Sequence, residues 1–154
     1  MSLRSAGRAF APALFALALA TVLSAASGVE IWSGSELKTS ADTLSSEPAS
    51  KGLVGKTLGA SSLWRRAQSG EAELHKTKTD LLVIETGSAT LVFGGTIPDA
   101  RSSAPNEVRG KSIRNGESRK LAPGDIIRIP AGTPHQFILE KGQQIAYFSL
   151  KLTR

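Results

Sequence analysis

The stretch Gly124-Asp-Ile-Ile-Arg-Ile-Pro-Ala-Gly-Thr-Pro-His135 leaves the backbone fewer courses than any other part of the chain. Its Ile-rich centre, Asp125 to Ile129, is read as a short strand, because β-branched side chains fit a pleated, half-buried surface. Pro130 must end that strand, since it has no amide hydrogen to donate to a ladder. Ala131 to Pro134 then form a tight turn, with Gly132 supplying a positive φ. A second strand, Gln136 to Leu139, follows at once. His135 is therefore delivered to one fixed place, where a turn enters a strand.

The remainder reads as an export leader, one helix and many short strands. Residues 1–26 carry two arginines, Arg4 and Arg8, then an apolar run from Ala9 to Leu23, then small residues ending at Ala26. That order is the layout of a secretory signal peptide, and the run falls short of the ~20 apolar residues of a membrane span. The expected product is exported, periplasmic or secreted, with no stable membrane anchor. Net charge falls from +6 to +4 on cleavage, because the leader takes two arginines and no acid. A modest basic excess without a basic helix or an aromatic platform excludes nucleic acid as the expected partner. The chain has no cysteine, so a disulfide framework is excluded and the core alone must hold the fold.

Residues 27–62 are expected to form an N-terminal extension. Val29–Trp32 could be a short strand. A helix capped by Ser35 should present Leu37, Ala41 and Leu44 on one face and stop before Pro48. Glu47–Ser62 reads as loop or edge strand. From residue 63 to 154 the pattern is strand and turn: Ser62–Ala67, Ala72–Thr77, Asp80–Glu85, Ala89–Phe93, and a final strand over Gln144–Leu152. In that last strand Ala146, Phe148, Leu150 and Leu152 alternate with Tyr147, Ser149 and Lys151, the period of two of a half-buried strand. Such spacing indicates an all-β barrel or sandwich.

The chain contains two histidines, His75 and His135. Gly124, Pro130, Gly132 and His135 resemble, in register, the second motif of the cupin superfamily, G-x5-P-x-G-x2-H-x3-N, with Leu139 replacing the last residue. A first motif, G-x5-H-x-H-x3,4-E-x6-G, can be counted back from Gly87. Asp80 then takes the glutamate position, His75 the second histidine and Glu73 the first, while the leading glycine falls at Ala67. An alternative register makes His75 the first histidine and Thr77 the second, but it spoils the spacing to Asp80. The resemblance implies a cupin-type double-stranded β-helix (jelly-roll) barrel and makes Glu73, His75, Asp80 and His135 candidate metal ligands. Glu73 and His75, at i and i+2 on a strand, share a face. Two imidazoles with carboxylates suit a divalent ion such as Mn, Fe or Zn. Each residue also has a plainer reading, as a turn histidine, a barrel residue or a solvated carboxylate.

The function expected from this set is binding of a small polar or anionic molecule in the barrel through a divalent metal, as in a dioxygenase, isomerase or lyase. The alternatives are a non-catalytic ligand-binding module and a structural dimeric barrel with a degenerate metal site. Asp99–Lys120 is basic, with Arg101, Arg109, Lys111, Arg114, Arg119 and Lys120 against Asp99, Glu107 and Glu117. It is expected to rim the cavity, with Arg109 as the substrate contact; a solvated loop is the competing reading. A homodimer is expected, because strand residues such as Leu81 and Val83, opposite Leu82 and Ile84, need cover on both faces.

Overall fold

The computed structural model describes residues 30–153, so the signal-peptide segment lies outside the described residues. Helix α1 (Gly34–Ser45) is followed by a single 3₁₀ turn, Ala49–Lys51. Eleven strands come next: β1 (Leu53–Leu58), β2 (Ser61–Arg66), β3 (Ala72–His75), β4 (Lys78–Gly87), β5 (Ala89–Phe93), β6 (Arg101–Ala104), β7 (Glu107–Gly110), β8 (Glu117–Leu121), β9 (Ile126–Ile129), β10 (His135–Ile138) and β11 (Ile145–Thr153). They form two antiparallel sheets, of order β1-β2-β11-β4-β9 and β6-β7-β3-β10-β5-β8.

The helix begins two residues earlier than the sequence suggests. Ser33, not Ser35, is its N-cap: the Ser33 hydroxyl accepts from the Glu36 amide at 3.2 Å, and the Glu36 carboxylate accepts from the Ser33 amide at 2.8 Å. This Ser-x-x-Glu capping box satisfies two otherwise free amides, whereas Ser35 would leave Glu36 too close to reach back. At the other end, the guanidinium of buried Arg65 donates to the carbonyls of Leu44 and Glu47, at 3.0 and 2.8 Å. Pro48 then prevents continuation. No strand forms over Glu30–Trp32, the described part of the segment expected as a strand; Trp32 instead packs its ring on Phe148 at 5.9 Å.

Strand β1 lies within the segment read as loop or edge strand and is the edge of the five-stranded sheet. The outer face of that sheet is covered in part by α1. Ala41 of the helix is buried with Leu63 and Ala146, and Leu44 and Phe148 pack around them. Truncating a fully buried side chain such as Leu63 to alanine costs about 2–5 kcal/mol.

Between the sheets the interior grades from apolar to polar along each strand. On β4, Ile84 and Leu82 join the main core, and the next residue on that face is Asp80. On β11, Ile145 and Tyr147 belong to the core, while Ser149 and Lys151 on the same face line a cavity. The polar set of the β11 alternation is thus the interior set, and Ala146 and Phe148 face the helix instead. The polar end of the sandwich is an open cavity of about 380 Å³.

Candidate metal centre

The turn into β10 behaves as its sequence dictates. β9 ends at Ile129, before Pro130, and Gly132 has φ +81°. The Gly132 amide donates to the carbonyl of His75 at 2.8 Å, and the Gly94 amide to that of Pro134 at 2.9 Å. The first of these ties the turn directly to the end of β3. His135 pairs across the ladder with Glu73, so the two side chains stand side by side on one face. His75, two residues beyond Glu73, shares that face. The chain then bends at 76–77 and crosses to the other sheet, where Asp80 pairs with Lys151 across β4 and β11. One sheet supplies Glu73, His75 and His135, and the facing sheet supplies Asp80 and Lys151.

All four residues expected as ligands meet at the polar end. Glu73, His75 and His135 each offer a donor atom, and these lie within 4.8 Å of one another. Asp80 Oδ2 is 3.2 Å from His75 Nε2 and 3.6 Å from His135 Nε2. Glu73 Oε2 is 3.7 and 4.0 Å from the same two nitrogens. Each carboxylate is divided in function. Glu73 Oε1 accepts from Arg66 Nη2 at 3.0 Å and is ion-paired with Arg109 Nη1 at 2.5 Å, while Asp80 Oδ1 accepts from Lys151 Nζ at 2.7 Å. In both, one oxygen is held by cations and the other faces both imidazoles.

The ring tautomers suit a metal. His135 Nδ1–H donates to the Thr133 carbonyl at 3.1 Å, which leaves the lone pair on Nε2. His75 Nδ1 is bonded to the Glu107 carboxylate, and its Nε2 also turns inward. Such outer partners orient imidazole ligands in metal sites. The donor spread is close to the span of ligands about 2.0–2.2 Å from one ion, so the residues present fit a divalent metal.

The electrostatics follow from burial and charge. The Asp80 carboxylate holds His75 above the ordinary histidine range, against burial and the Lys151 charge. Burial pushes His135 below that range. Burial would raise the Asp80 carboxyl, but the neighbouring His75 and the hydrogen bond and charge of Lys151 hold it down to about 2. Burial likewise opposes ionisation of Glu73, and the Arg66 and Arg109 charges outweigh it.

Of the basic segment, only the β6–β7 part borders this cavity, with Ser103, Ala104, Glu107 and Arg109. Arg109 lies in the lining, paired with Glu73. Strand β8, with Arg119, is at the opposite edge of the same sheet. Thr77, the alternative ligand, is exposed in the bend. Arg66, Glu107, Tyr147 and Lys151 complete the site without having been singled out from the sequence. Arg66 Nε donates to the Tyr147 hydroxyl at 2.9 Å, and its guanidinium lies 5.2 Å from the Phe137 ring centroid. Phe137 and Tyr147 stack at 5.1 Å. A usable signal existed for two of them, the polar face of β11 that carries Tyr147 and Lys151.

No family model matches the sequence, and no curated protein does. Solved structures do match. An uncharacterized conserved protein from Klebsiella pneumoniae with a double-stranded β-helix domain aligns over 81% of this chain and 90% of its own, with 14% identity and a TM-score of 0.51. The fold is the cupin double-stranded β-helix. The TT1209 protein of Thermus thermophilus is similar over 82% of this chain and 99% of its own, with 14% identity and a TM-score of 0.52. The cupin domain of Drosophila melanogaster CENP-C covers 73% of this chain and 79% of its own, with 12% identity and a TM-score of 0.46. At such identities the likeness speaks for the fold alone; what the cupin barrel does here must be argued from its own residues.

Proposed function

We propose that this chain is an exported cupin-fold protein that holds a divalent metal, Mn(II), Fe(II) or Zn(II), between Glu73, His75, His135 and Asp80, and binds a small anionic molecule in the cavity beside it. The observation that carries the reading is the convergence of the chain's two histidines and two carboxylates from three strands on one point, with both imidazole Nε2 atoms turned inward. Bound there, the ion would supply Lewis acidity toward a carbonyl or carboxylate of the ligand. The reaction classes this suits are dioxygenase, isomerase and lyase.

The charges favour an anion. Along the lining, Glu73, Asp80 and Glu107 face four cations, Arg66, Lys78, Arg109 and Lys151. A dication added to that set enlarges the excess of positive charge, which an anionic ligand offsets. Arg109 and Arg66 would orient its acidic group, and the Phe137–Tyr147 stack would close the apolar side. The ion pairs of Glu73 with Arg66 and Arg109 and of Asp80 with Lys151 favour a second reading, a metal-free ligand-binding barrel, because both carboxylates are already compensated by protein cations. A homodimer stays within the proposal, with the exposed Ile126 of edge strand β9 as an apolar residue that a second copy could cover.

Metal analysis decides between the readings. The purified protein, equilibrated with Mn(II), Fe(II) or Zn(II), should retain one ion per chain, and the double variant His75→Ala/His135→Ala should retain none. No ion in the wild type, or equal ion in both proteins, leaves the metal-free reading.

A further inference from the structure

Lys151 reaches the centre of the ligand set. Its Nζ lies 3.0 Å from His75 Nε2 and 2.7 Å from Asp80 Oδ1, so it touches two of the four groups assigned to the metal. The placement is fixed by register, because Lys151 stands directly across the ladder from Asp80. Its orientation toward the interior is fixed by the strand, since Tyr147, Ser149 and Lys151 alternate onto the cavity face. The partner of His75 Nδ1 matters as well. With Glu107 accepting from Nδ1–H, the single lone pair of the neutral ring is on Nε2, and the Lys151 ammonium donates into it. One lone pair cannot serve an N–H donor and a metal ion together. An ammonium about 3 Å from the ligand atom would also stand close to a dication and repel it.

We propose that Lys151 is an internal cation that competes with the divalent metal for the Nε2 lone pair of His75, beside Asp80, so that metal binding requires its ammonium to swing out of the cluster. The movement has room: the Lys151 side chain is 42% exposed, whereas that of Asp80 is 6% exposed. Lys151 thereby sets the affinity of the site, and only ions that bind strongly enough to displace it are retained. Once displaced, it is left on the cavity wall with an unpaired charge. This inference rests on the metal reading above, and its test separates the two.

Affinity for Zn(II) and for Mn(II) is measured by titration calorimetry at one fixed pH for wild type, Lys151→Met and Lys151→Arg. Lys151→Met should bind at least about tenfold more tightly, since a charge-assisted hydrogen bond no longer has to be broken. Lys151→Arg, which keeps the charge, should gain no more than about twofold, because one lost charge-assisted bond is what the tenfold gain reports. In the wild type, saturation with Zn(II) should make Lys151 react faster with an amine-selective acylating reagent, read residue by residue by mass spectrometry. That measurement needs no variant to fold. Equal affinities of wild type and Lys151→Met, or unchanged acylation on loading, would overturn the role of Lys151 while leaving the metal site standing. Failure of all three proteins to bind an ion would overturn the metal reading and this inference with it.

Discussion

The two histidines face the same point and are held there by opposite means. His135 is positioned by backbone: Pro130 ends one strand, Gly132 turns the chain, and the Thr133 carbonyl fixes the ring. His75 is positioned by side chains, with Glu107 on one nitrogen and Asp80 and Lys151 around the other. Both are equally buried, yet burial dominates at His135 and lowers its basicity, while the Asp80 carboxylate dominates at His75 and raises it. A ligand fixed by backbone resists substitution of its neighbours, whereas one fixed by side chains can be tuned by each of them. Chain-local chemistry builds the first kind, and strand register builds the second.

The largest effect expected is on the backbone-held half. His135→Ala should lower metal affinity by more than about 100-fold, because loss of even an outer partner costs about 10–100-fold. The barrel should stay folded, since the turn that carries the residue is held by its own main-chain bonds. Calorimetric titration together with circular dichroism checks both statements. A folded His135→Ala protein with wild-type affinity would remove the residue from the site.

The side-chain-held half should answer to substitutions that have no counterpart at His135. Glu107→Gln removes the negative partner of His75 Nδ1 and should weaken metal binding by about tenfold. Histidine NMR titration of the metal-free protein should put the His75 midpoint above the ordinary value of about 6.5 and that of His135 below it. As pH falls, His75 therefore takes its proton first and metal affinity begins to drop with it, since a protonated ring has no lone pair to give. Glu107→Gln should bring the His75 midpoint down and leave His135 where it was. If the two midpoints came in the reverse order, the electrostatic contrast between the halves would be wrong.

This contrast also explains what could be read from the chain. The second motif was legible because every constraint on it lies within the twelve residues Gly124–His135. The first was half legible: i, i+2 geometry put Glu73 beside His75, and the spacing from Gly87 put Asp80 near them. Arg66 and Glu107 were not legible, because each arrives from another strand through a register that local pattern does not encode. The β11 alternation marked a half-buried strand, as found, without telling which of its faces is the interior one. Ala146 and Phe148 of its apolar set pack in the helix cluster, and Tyr147, Ser149 and Lys151 face the interior, which is polar at that end. The Ser33 cap was legible as a Ser-x-x-Glu box and was displaced by the nearer Ser35.

A smaller effect concerns stability in acid. Asp80 is held at about 2 against an ordinary 3.8, so its contribution is present above pH 3.8 and is lost as pH falls toward 2. Asp80→Asn should therefore lower the unfolding free energy near pH 5 and make little difference near pH 2, as read from urea unfolding at the two pH values. A loss of equal size at both would show that the carboxylate contributes through packing alone.

The smallest effect expected is at Thr77, and it tests how far the period of two extends along β3. Were the strand to continue, Thr77 would follow Glu73 and His75 onto the interior face. It does not continue: β3 ends at His75, the Lys76 amide turns to the Asn106 carbonyl at 2.8 Å, and Thr77 is left exposed in the bend. The crossing from one sheet to the other occurs here, and it is this crossing that lets Asp80 approach the histidines from the opposite wall. Thr77→Ala should accordingly leave metal affinity within about twofold of wild type, whereas Glu73→Ala, which removes a donor, should cost more than tenfold. If Thr77→Ala proved the more damaging of the two, β3 would have to extend through the bend when the metal binds. The side-chain-held half of the site would then be built by a strand extension, and Glu73 would be a partner of Arg66 and Arg109 only.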